Sequence, residues 1–561
     1  MRIAGVAAAV AAILGPLAAF AGPSDAAEYY GTDEPFASEA VYFVLTDRFV
    51  DGDRANNHVD QGGANGTFDR PLAGANGVPD NIGYLGGDFR GILENAEYIR
   101  GMGFTAVWIT PIVDNPDEAF TGGNRIGEGF FADRGKTGYH GYWGVNFYRV
   151  DEHLESDGLD FAAFTRRMRE DHGLRVVLDI VCNHGSPSYT MPSDQPGFGE
   201  VYDGAGRLVA DHQNLPPARL DPANPLHRWF HREPDLAELS NFDDTNPAVM
   251  DYLTGAYLHW IDQGASAFRI DTIRHLPHPF WREFAARIRA RHPGFFMFGE
   301  SFDYDARKIA EHTRPENGGV SVLDFPLKAA MTEVFEQEGG DFSRLLEALH
   351  LDDGVYRNPY ELMTFYDNHD MARMNAGAQG FIDAHNWLFT ARGIPVVYYG
   401  SEIAFMTGTK EHEGNRNYFG PDNVDRARGH PIRAALARVA RLRRESPALQ
   451  RGLQINLGFA GDRAAFLRVY EQEAVSQTAL VLLNKGEAEG RFVIDRWLSR
   501  GPWRDAWTGE TFAMAESGGP LELGVPAHGV RVLLHGEPTD DEELIAELER
   551  AMRSRAGVSG R

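Results

Sequence analysis

The stretch AFRIDTIRH, residues 267–275, is typical of a buried strand, yet it carries Arg269 and Asp271 two positions apart. Side chains on a strand alternate between its two faces, so these two point to one side while Phe268 and Ile270 point to the other. A guanidinium or a carboxylate alone is costly to bury. The pair therefore indicates a polar site inside a sheet whose other face is apolar.

Seven further apolar segments alternate with amphipathic stretches along the chain. The eight predicted strands begin at Ala40, Thr105, Arg175, Ala267, Phe295, Val320, Leu362 and Pro395. Several of the stretches between them end on a glycine, which favours a left-handed helix cap. The pattern predicts an α/β fold, a (β/α)8 TIM barrel. A large doubly wound open sheet is the alternative, although no glycine-rich dinucleotide-binding loop follows the first strand.

Two long segments depart from a bare barrel. Residues 185–245 are rich in Pro, Asp and Gly and far longer than an ordinary βα loop, so we expect an excursion domain after the third strand. Short alternating strands separated by turn residues predict a C-terminal antiparallel β-sandwich over 448–536. The barrel then comprises 38–184 and 246–447. The remaining residues, 537–561, indicate a short charged helix, which we expect to be a solvated tail.

Composition restricts the partners and the compartment. The 561 residues include 81 acidic and 54 basic ones, a formal net charge of -27, which argues against a nucleic-acid partner because phosphates need basic surfaces. Residues 1–21 combine Arg2, an apolar run of small residues and a cleavage-like Ala-Phe-Ala, which predicts a signal peptide and a secreted or periplasmic protein without a membrane anchor after cleavage. We expect a monomer. The single cysteine, Cys182, lies in an apolar run and is expected to be a packed core thiol.

Polar residues concentrate at the carboxyl ends of four predicted strands. In chain order these are Asp179, Asn183 and His184, then Arg269 and Asp271, then Glu300, then Asp367, Asn368, His369 and Asp370. Barrel enzymes place their chemistry at this end of the barrel, on several strands at once. Four polar strand ends on one face therefore predict an active site.

Two of these carboxyl groups lie in opposed environments. Arg269 should favour the ionised form of Asp271, which suits a nucleophile. Repulsion from Asp271 and partial burial should raise the pKa of Glu300, which suits a general acid. Paired carboxyl groups of this kind are the equipment of glycoside hydrolysis, with retention or inversion depending on their separation.

The motifs that carry these residues resemble those of the α-amylase family, glycoside hydrolase family 13. They are DIVCNH (179–184), FRIDTIRH (268–275), FGES (298–301) and YDNHD (366–370), in that order. The upstream segments LTDRFVDGD, YLGGDFRGI and GYHGYW are similar to the α-amylase and cyclodextrin glucanotransferase branch in particular. The resemblance extends from about Ala40 to Gly536.

The resemblance implies a role for individual residues. Asp271 would be the nucleophile, Glu300 the general acid/base and Asp370 the third carboxylate, which holds sugar hydroxyls. Arg269 would orient Asp271, and Tyr142 would stack on the sugar under attack. The other implied substrate contacts are His140, His184 and His369 around that sugar, Arg274 and His275 on the leaving-group side, and Arg416 on the donor side.

Calcium is the expected cofactor. The loop FVDGDRANN supplies Asp51, Asp53, Asn56 and Asn57 within seven residues, and GGDF adds Asp88 and the carbonyl of Gly86. Calcium prefers six to eight such oxygen ligands. An ordinary Asx-rich turn is the alternative, and an EF-hand is excluded because Gly62 stands where its bidentate glutamate would be. The resemblance matches these segments to a calcium site. It also implies a second site from Asn183, the carbonyl of His275 and Glu238, where the family has an aspartate.

Together these observations predict an exported enzyme that hydrolyses α-1,4-linked glucans such as starch or maltooligosaccharides with retained configuration. A transglycosylase of the cyclodextrin glucanotransferase type is the alternative, since both use the same three carboxylates. The resembling cyclising enzymes continue into two more β domains, so a chain with one sandwich favours hydrolysis. A non-catalytic carbohydrate-binding barrel is a further alternative, but it would be expected to lack one of the carboxylates.

Overall fold

The structure, a computed structural model, describes residues 29–73, 80–128, 132–193, 195–337, 339–472, 474–514 and 520–558. The predicted signal peptide, 1–21, lies outside these residues. Among the helices described, none has the length and apolar character needed to cross a membrane.

Eight parallel strands form the predicted barrel. They are β1 (Val41–Val44), β2 (Ala106–Ile109), β3 (Arg175–Ile180), β4 (Ala267–Ile270), β5 (Phe296–Gly299), β6 (Ser321–Val322), β7 (Met363–Thr364) and β8 (Ile394–Tyr398). The order of neighbours is β6-β5-β4-β3-β2-β1-β8-β7, and a parallel bridge from Leu323 to Met363 closes the ring. The TIM barrel prediction is confirmed, and the open-sheet alternative is wrong.

Helices surround the barrel in the expected alternation. The outer helices are Phe89–Glu94, Ala96–Gly101, Phe161–His172, Pro247–Asp262, His278–Arg291, Ala306–Ala310, Phe325–Phe335, Ala378–Thr390 and Pro431–Glu445. Shorter helices span Thr46–Phe49, Leu346–Leu349, Gly420–Ala427 and Pro447–Arg451. Local chemistry sets their ends: the Asp160 side chain accepts from Ala163 N, and Gly173 ends the same helix in the left-handed region at φ 66°.

Aromatic side chains fill the barrel beneath its carboxyl end. The rings of Phe43 on β1 and Trp108 on β2 stack with centroids 3.8 Å apart, and Phe298 on β5 meets Trp108 edge-on at 5.6 Å. Arg269 on β4 lies above this layer, 5.4 Å from the Trp108 ring. On the other face of β4, Phe268 packs on Tyr257 of an outer helix. The predicted division of β4 into a polar inner face and an apolar outer face is confirmed.

An excursion follows β3. It contains two small antiparallel sheets, one joining His184–Pro187 to Leu239–Asn241 and the other joining Glu200–Tyr202 to Leu208–Asp211. The first of these sheets begins at His184, so the excursion leaves the barrel at the polar end of β3. Two further short pairs lie in the barrel loops, Pro71–Leu72 with Asp80–Asn81 and Val113–Asp114 with Asn146–Val150.

The C-terminal region is the predicted antiparallel sandwich. Its strands are β9 (Leu453–Ala460), β10 (Arg463–Gln472), β11 (Val475–Asn484), β12 (Gly490–Ile494), β13 (Gly501–Asp505), β14 (Thr511–Met514), β15 (Leu521–Val525) and β16 (Gly529–His535). Six of them form one sheet in the order β9-β10-β11-β16-β13-β14, and β12 pairs with β15 in the other.

The expectation of a solvated tail after residue 536 is wrong. Residues Glu542–Val558 form a helix, and Leu544, Leu548 and Ala551 on it are buried in the same apolar cluster as Trp503 of the sandwich. Apolar side chains recur at intervals of three and four residues within the charged stretch, so one face of the helix is apolar. The helix therefore packs on the C-terminal domain.

Candidate active site

Arg269 joins three carboxylates at the polar end of the barrel. Its Nη1 lies 2.9 Å from Asp179 Oδ1 and 2.9 Å from Asp271 Oδ1, and its Nη2 lies 2.9 Å from Glu300 Oε2. All four residues are buried. Arg269 can be buried inside the sheet because three carboxyl groups surround its guanidinium.

Asp179 supports Arg269 from β3. Its carboxylate accepts hydrogen bonds from Trp108 Nε1 at 3.0 Å and from the Tyr142 hydroxyl at 2.9 Å. Burial raises the pKa of Asp179 to about 7, against the opposing effect of the Arg269 charge. Asp179 therefore fixes the positions of both the Arg269 guanidinium and the Tyr142 hydroxyl.

Glu300 has the properties of an acid catalyst. Burial raises its pKa to about 8, and the negative charges of Asp370 and Asp271 act in the same direction, although Arg269 opposes them. Its Oε1 is buried and has no hydrogen-bond partner among the described residues, while Oε2 faces Arg269. Glu300 can therefore carry a proton at neutral pH and has an oxygen available for a ligand.

A chain of alternating charges, of which Arg416 and Lys136 are buried, holds Asp370. Arg416 Nη2 lies 2.7 Å from Asp370 Oδ1, and Arg416 Nη1 lies 2.8 Å from Glu411 Oε1, which also binds Lys136 Nζ at 2.9 Å. Arg416 Nε additionally donates to the carbonyl of His369. Arg416 was predicted to contact a donor-side sugar, and its guanidinium contacts Asp370 and Glu411, so it can also orient Asp370.

Three histidines lie close to Tyr142. Burial lowers the pKa of His140, His184 and His369, which favours neutral imidazoles that can hydrogen-bond sugar hydroxyls. The Tyr142 hydroxyl lies 2.9 Å from His369 Nε2, and the two rings are nearly parallel with centroids 5.5 Å apart. His140 Nδ1 accepts from the backbone of Tyr142. Tyr142 is thus the residue that all three of these predicted sugar-contacting histidines approach.

The segment after Asp271 turns toward Glu300. Thr272 adopts the left-handed region at φ 50° and starts the 3-10 turn Ile273–His275. Arg274 Nη1 on this turn donates to the carbonyl of Phe302, two residues beyond Glu300. Of the two predicted leaving-group residues, Arg274 therefore reaches the segment after Glu300, whereas His275 contacts Asp235.

The first predicted calcium site is a set of oxygen atoms without partners. Asp51 Oδ1, Asn56 Oδ1 and Asn57 Oδ1 are buried and have no hydrogen-bond partner within the described ranges. A Cβ atom on Gly86 would lie 2.4 Å from Asn57 Oδ1, so this glycine allows a close approach. Asp88 Oδ2 accepts from the Asn56 amide. Asp53 lies at the edge, where it caps Ala55 N. Oxygens left unpaired in this way fit a hard cation.

At the predicted second site, a different acid from Glu238 lies beside Asn183 and His275. Asp235 accepts from the Asn183 amide at 3.1 Å and lies 3.1 Å from His275 Nδ1. Glu238, the predicted ligand, instead accepts from the Thr190 hydroxyl at 2.7 Å. Asp235, rather than Glu238, is therefore the acid next to the other two predicted ligands. Both acids lie in the motif DLAELSNF, and spacing alone did not show which of them faces the barrel.

Comparison with known proteins identifies the family. The family profile described as alpha amylase, catalytic domain, matches residues 43–441. The chain belongs to the α-amylase family. It is therefore an enzyme of the glycoside hydrolase class.

Sequence relatives of this α-amylase-family chain include cyclomaltodextrin glucanotransferases. That of Klebsiella oxytoca is 28% identical over 518 residues, covering 82% of this chain and 72% of that protein. That of Paenibacillus macerans is 28% identical over 478 residues, covering 81% of this chain and 60% of that protein. The chain thus spans 60% to 72% of the length of these relatives.

Solved structures of an α-amylase and of a cyclomaltodextrin glucanotransferase are similar to this chain. An α-amylase from Geobacillus thermoleovorans, complexed with acarbose, has a TM-score of 0.68 at 26% identity and covers 90% of this chain and 99% of that one. A cyclomaltodextrin glucanotransferase described as having a three-domain ABC distribution has a TM-score of 0.72 at 28% identity and covers 89% and 99%. The predicted family and branch are confirmed.

Sequence reasoning missed the residues that hold the carboxylates in place. Trp108, Lys136 and Glu411 lie outside the quoted motifs, and Asp179 was noted only as one of the polar strand ends. Glu411 lies in the loop after β8, and its contacts with Lys136 and Arg416 join residues far apart in the sequence. Of these residues, only Asp179 could have been anticipated. Side chains alternate along β3, and this alternation predicts that Asp179 faces the barrel interior.

Proposed function

We propose that the protein cleaves α-1,4-glucosidic bonds of starch or maltooligosaccharides by double displacement. The supporting observation is that the two terminal nitrogens of one guanidinium contact Asp271 and Glu300 separately, while burial raises the pKa of Glu300 to about 8. One carboxylate is thereby paired with a cation, and the other is poised to carry a proton.

In the first step an Asp271 oxygen attacks the anomeric carbon. The bond from that carbon to the glycosidic oxygen breaks, and Glu300 gives its proton to the departing oxygen. In the second step Glu300 takes a proton from water, whose oxygen attacks the same carbon and releases Asp271. Two inversions at one carbon leave the α-configuration in the product.

Transglycosylation is the second candidate, in which a sugar hydroxyl replaces water in the second step. The similarity to cyclomaltodextrin glucanotransferases supports it. The number of domains, which we took to favour hydrolysis, does not separate the two, because a related cyclomaltodextrin glucanotransferase has a three-domain distribution. The non-catalytic alternative is disfavoured because Asp271, Glu300 and Asp370 are all present, and the charges of the other two act on Glu300.

Calcium is part of the proposal. The first site would be held by Asp51, Asn56, Asn57, Asp88 and the carbonyl of Gly86, with Asp53 at its edge. The second would be held by Asn183, Asp235 and the carbonyl of His275. A bound cation would neutralise buried carboxylates and join distant loops, which stabilises the native state. We further propose that the protein is exported, on the evidence of residues 1–21, and that it acts as a monomer.

A time-resolved product profile tests the function. Soluble starch and a cyclodextrin are incubated separately with the enzyme, and linear and cyclic products are separated. Linear maltooligosaccharides from both substrates indicate hydrolysis, whereas cyclic products from starch indicate transfer. NMR of the first products should show the α-anomer before mutarotation, and an initial β-anomer would contradict double displacement.

Two variants test the assigned roles. We expect Asp271→Asn and Glu300→Gln to fold and to lose activity by on the order of 10²- to 10⁴-fold or more. A substrate with a good leaving group should partly restore the first step of Glu300→Gln but not of Asp271→Asn, because departure then needs less acid assistance. If this substrate restored the activity of both variants equally, the assignment of Glu300 as the acid and Asp271 as the nucleophile would be contradicted.

A further inference from the structure

Lys136 is the only buried lysine of the five in the chain, all of which lie in the described part of the structure. It is 6% exposed, and its Nζ lies 3.1 Å from Asp133 Oδ1 and 2.9 Å from Glu411 Oε1. An ammonium group is costly to remove from water unless opposite charges surround it. The two carboxylates explain why Lys136 can be buried, and its contact with Glu411 indicates which groups it acts on.

The contact between Lys136 and Glu411 joins two loops that carry predicted sugar-contacting residues. Lys136 lies in the loop after β2, four residues before His140. Glu411 lies in the loop after β8, five residues before Arg416. Lys136 also acts on His140 directly, since its charge lowers the pKa of that imidazole, after the larger effect of burial. The pair is therefore close to residues on both loops.

Glu411 shares Arg416 with Asp370. Arg416 Nη1 lies 2.8 Å from Glu411 Oε1, and Arg416 Nη2 lies 2.7 Å from Asp370 Oδ1. Lys136 Nζ contacts the same Glu411 oxygen that Arg416 does, so two cations share this carboxylate. Without Lys136, the full charge of Glu411 would attract Arg416 and repel Asp370.

The charges of Lys136 and Glu411 act on Asp370 with opposite signs. Desolvation raises the pKa of Asp370 and Arg416 lowers it, while Glu411 raises it and Lys136 lowers it. Removing either member of the pair should thus move this pKa in opposite directions, and removing both should leave it nearly unchanged. The other charged or titratable groups that face Asp370 are Arg269, Glu300, His369 and Tyr142.

We propose that Lys136 is a positioning residue for the reaction, which neutralises Glu411 and thereby keeps Arg416 in contact with Asp370. This inference rests on the proposed function, in which Asp370 is the third carboxylate. The ion pairs of Lys136 are with Asp133 and Glu411 rather than with Asp370. Lys136 therefore acts on the reaction through its neighbours and from a different loop.

The test is a pair of single variants and their combination. For wild type, Lys136→Met, Glu411→Gln and the double variant, kcat/KM on a linear maltodextrin is measured from pH 4 to pH 9. We expect Lys136→Met to lower kcat/KM by about threefold to thirtyfold, a usual size for coupled neighbours, and to move the acidic limb to higher pH. Glu411→Gln should move that limb to lower pH, and the double variant should return it close to that of wild type.

Two further variants separate this role from a structural one. Lys136→Arg keeps the cation and should retain most of the rate and the wild-type limb. Lys485→Met breaks a similar ion pair in the sandwich, where Lys485 Nζ lies 2.8 Å from Asp462 Oδ1, and should change neither the rate nor the limb. If Lys136→Met does not fold, the double variant is compared with Glu411→Gln, and adding Lys136→Met should then raise the pH of the limb.

Three results would overturn the inference while leaving the proposed function in place. They are an unchanged rate and limb in a folded Lys136→Met protein, a rate loss without a shift of the limb, and limb shifts of the same sign for Lys136→Met and Glu411→Gln. If wild type neither cleaves nor transfers α-glucans, the proposed function and this inference both fail.

Discussion

Arg416 Nη2 lies 2.7 Å from Asp370 Oδ1, and this contact places the third carboxylate at the end of a chain of alternating charges. Burial raises the pKa of Asp370, and the Arg416 cation opposes that rise. The charge on Asp370 therefore depends on a residue from a different loop. Arg416 acts through Asp370 rather than on the reacting atoms.

Replacing Arg416 should change both rate and pH dependence. We expect Arg416→Met to lower kcat/KM on the order of 10- to 100-fold, because Asp370 loses its orienting partner. The pKa of Asp370 should also rise, so the acidic limb of the pH profile should move to higher pH. Arg416→Lys should restore part of the rate, and Arg426→Met on an exposed helix position is the control. A rate loss with no shift of the acidic limb would indicate a purely structural role.

The alkaline limb of the pH profile should report Glu300. A general acid must be protonated to donate, so kcat/KM should fall as pH rises through about 8, the pKa that burial gives Glu300. Initial rates between pH 5 and 10 on a substrate with a poor leaving group measure this limb. A profile flat to pH 10 would contradict the assignment of Glu300 as the acid.

The same raised pKa predicts that the stability of Glu300→Gln increases relative to that of wild type as pH rises. The folded-state pKa of Glu300 lies above its ordinary value of 4.5, so its favourable contribution is complete below that value and is lost as pH rises through about 8. The melting temperature of Glu300→Gln should therefore rise relative to wild type between pH 5 and pH 9. The Asp370→Asn variant offers a comparison at a second, more exposed carboxylate. A constant difference across this pH range would be inconsistent with a strongly raised pKa.

Calcium should stabilise the native state at the first site. Because the metal binds the folded chain, we expect EDTA to lower the melting temperature and added calcium to restore it. Asp51→Ala should remove much of this response, and Asp60→Ala, which removes the same charge from an exposed position in the same loop, should keep it. An unchanged melting curve in excess chelator, with no calcium by elemental analysis, would exclude the site.

The second site distinguishes two neighbouring acids. Asp235 lies beside Asn183 and His275, whereas Glu238 is bound to Thr190. We expect Asp235→Ala to weaken calcium binding, measured by calorimetry, and Glu238→Ala to leave it near wild type. The opposite result would restore the ligand predicted from sequence.

The C-terminal helix should contribute to stability. Leu548 is fully buried between this helix and the sandwich, so Leu548→Ala should lower the free energy of unfolding by about 2–5 kcal/mol. Glu543→Ala, at an exposed position of the same helix, is the control. Equal denaturant midpoints for wild type and Leu548→Ala would show that the helix does not support the domain.

The sequence by itself determined the barrel and the carboxylates that gather at the ends of its strands. These follow from local patterns: an apolar segment of a few residues specifies a strand, and alternation along that strand specifies which side Arg269 faces. Polar residues at strand ends must then converge, because parallel strands of a barrel end on one side. Asp271, Glu300 and Asp370 could thus be placed together without coordinates.

Only the tertiary structure decided which distant groups contact each other. Glu411 and Lys136 come from loops far apart in the sequence, and nothing in either loop indicates that they join Arg416. The choice of Asp235 over Glu238 likewise depends on how the excursion packs against β4. The charged C-terminal helix is buried on one face because the sandwich offers an apolar surface, which the helix sequence alone does not contain. Long-range contacts depend on the path of the whole chain, whereas strand and helix patterns depend on neighbouring residues.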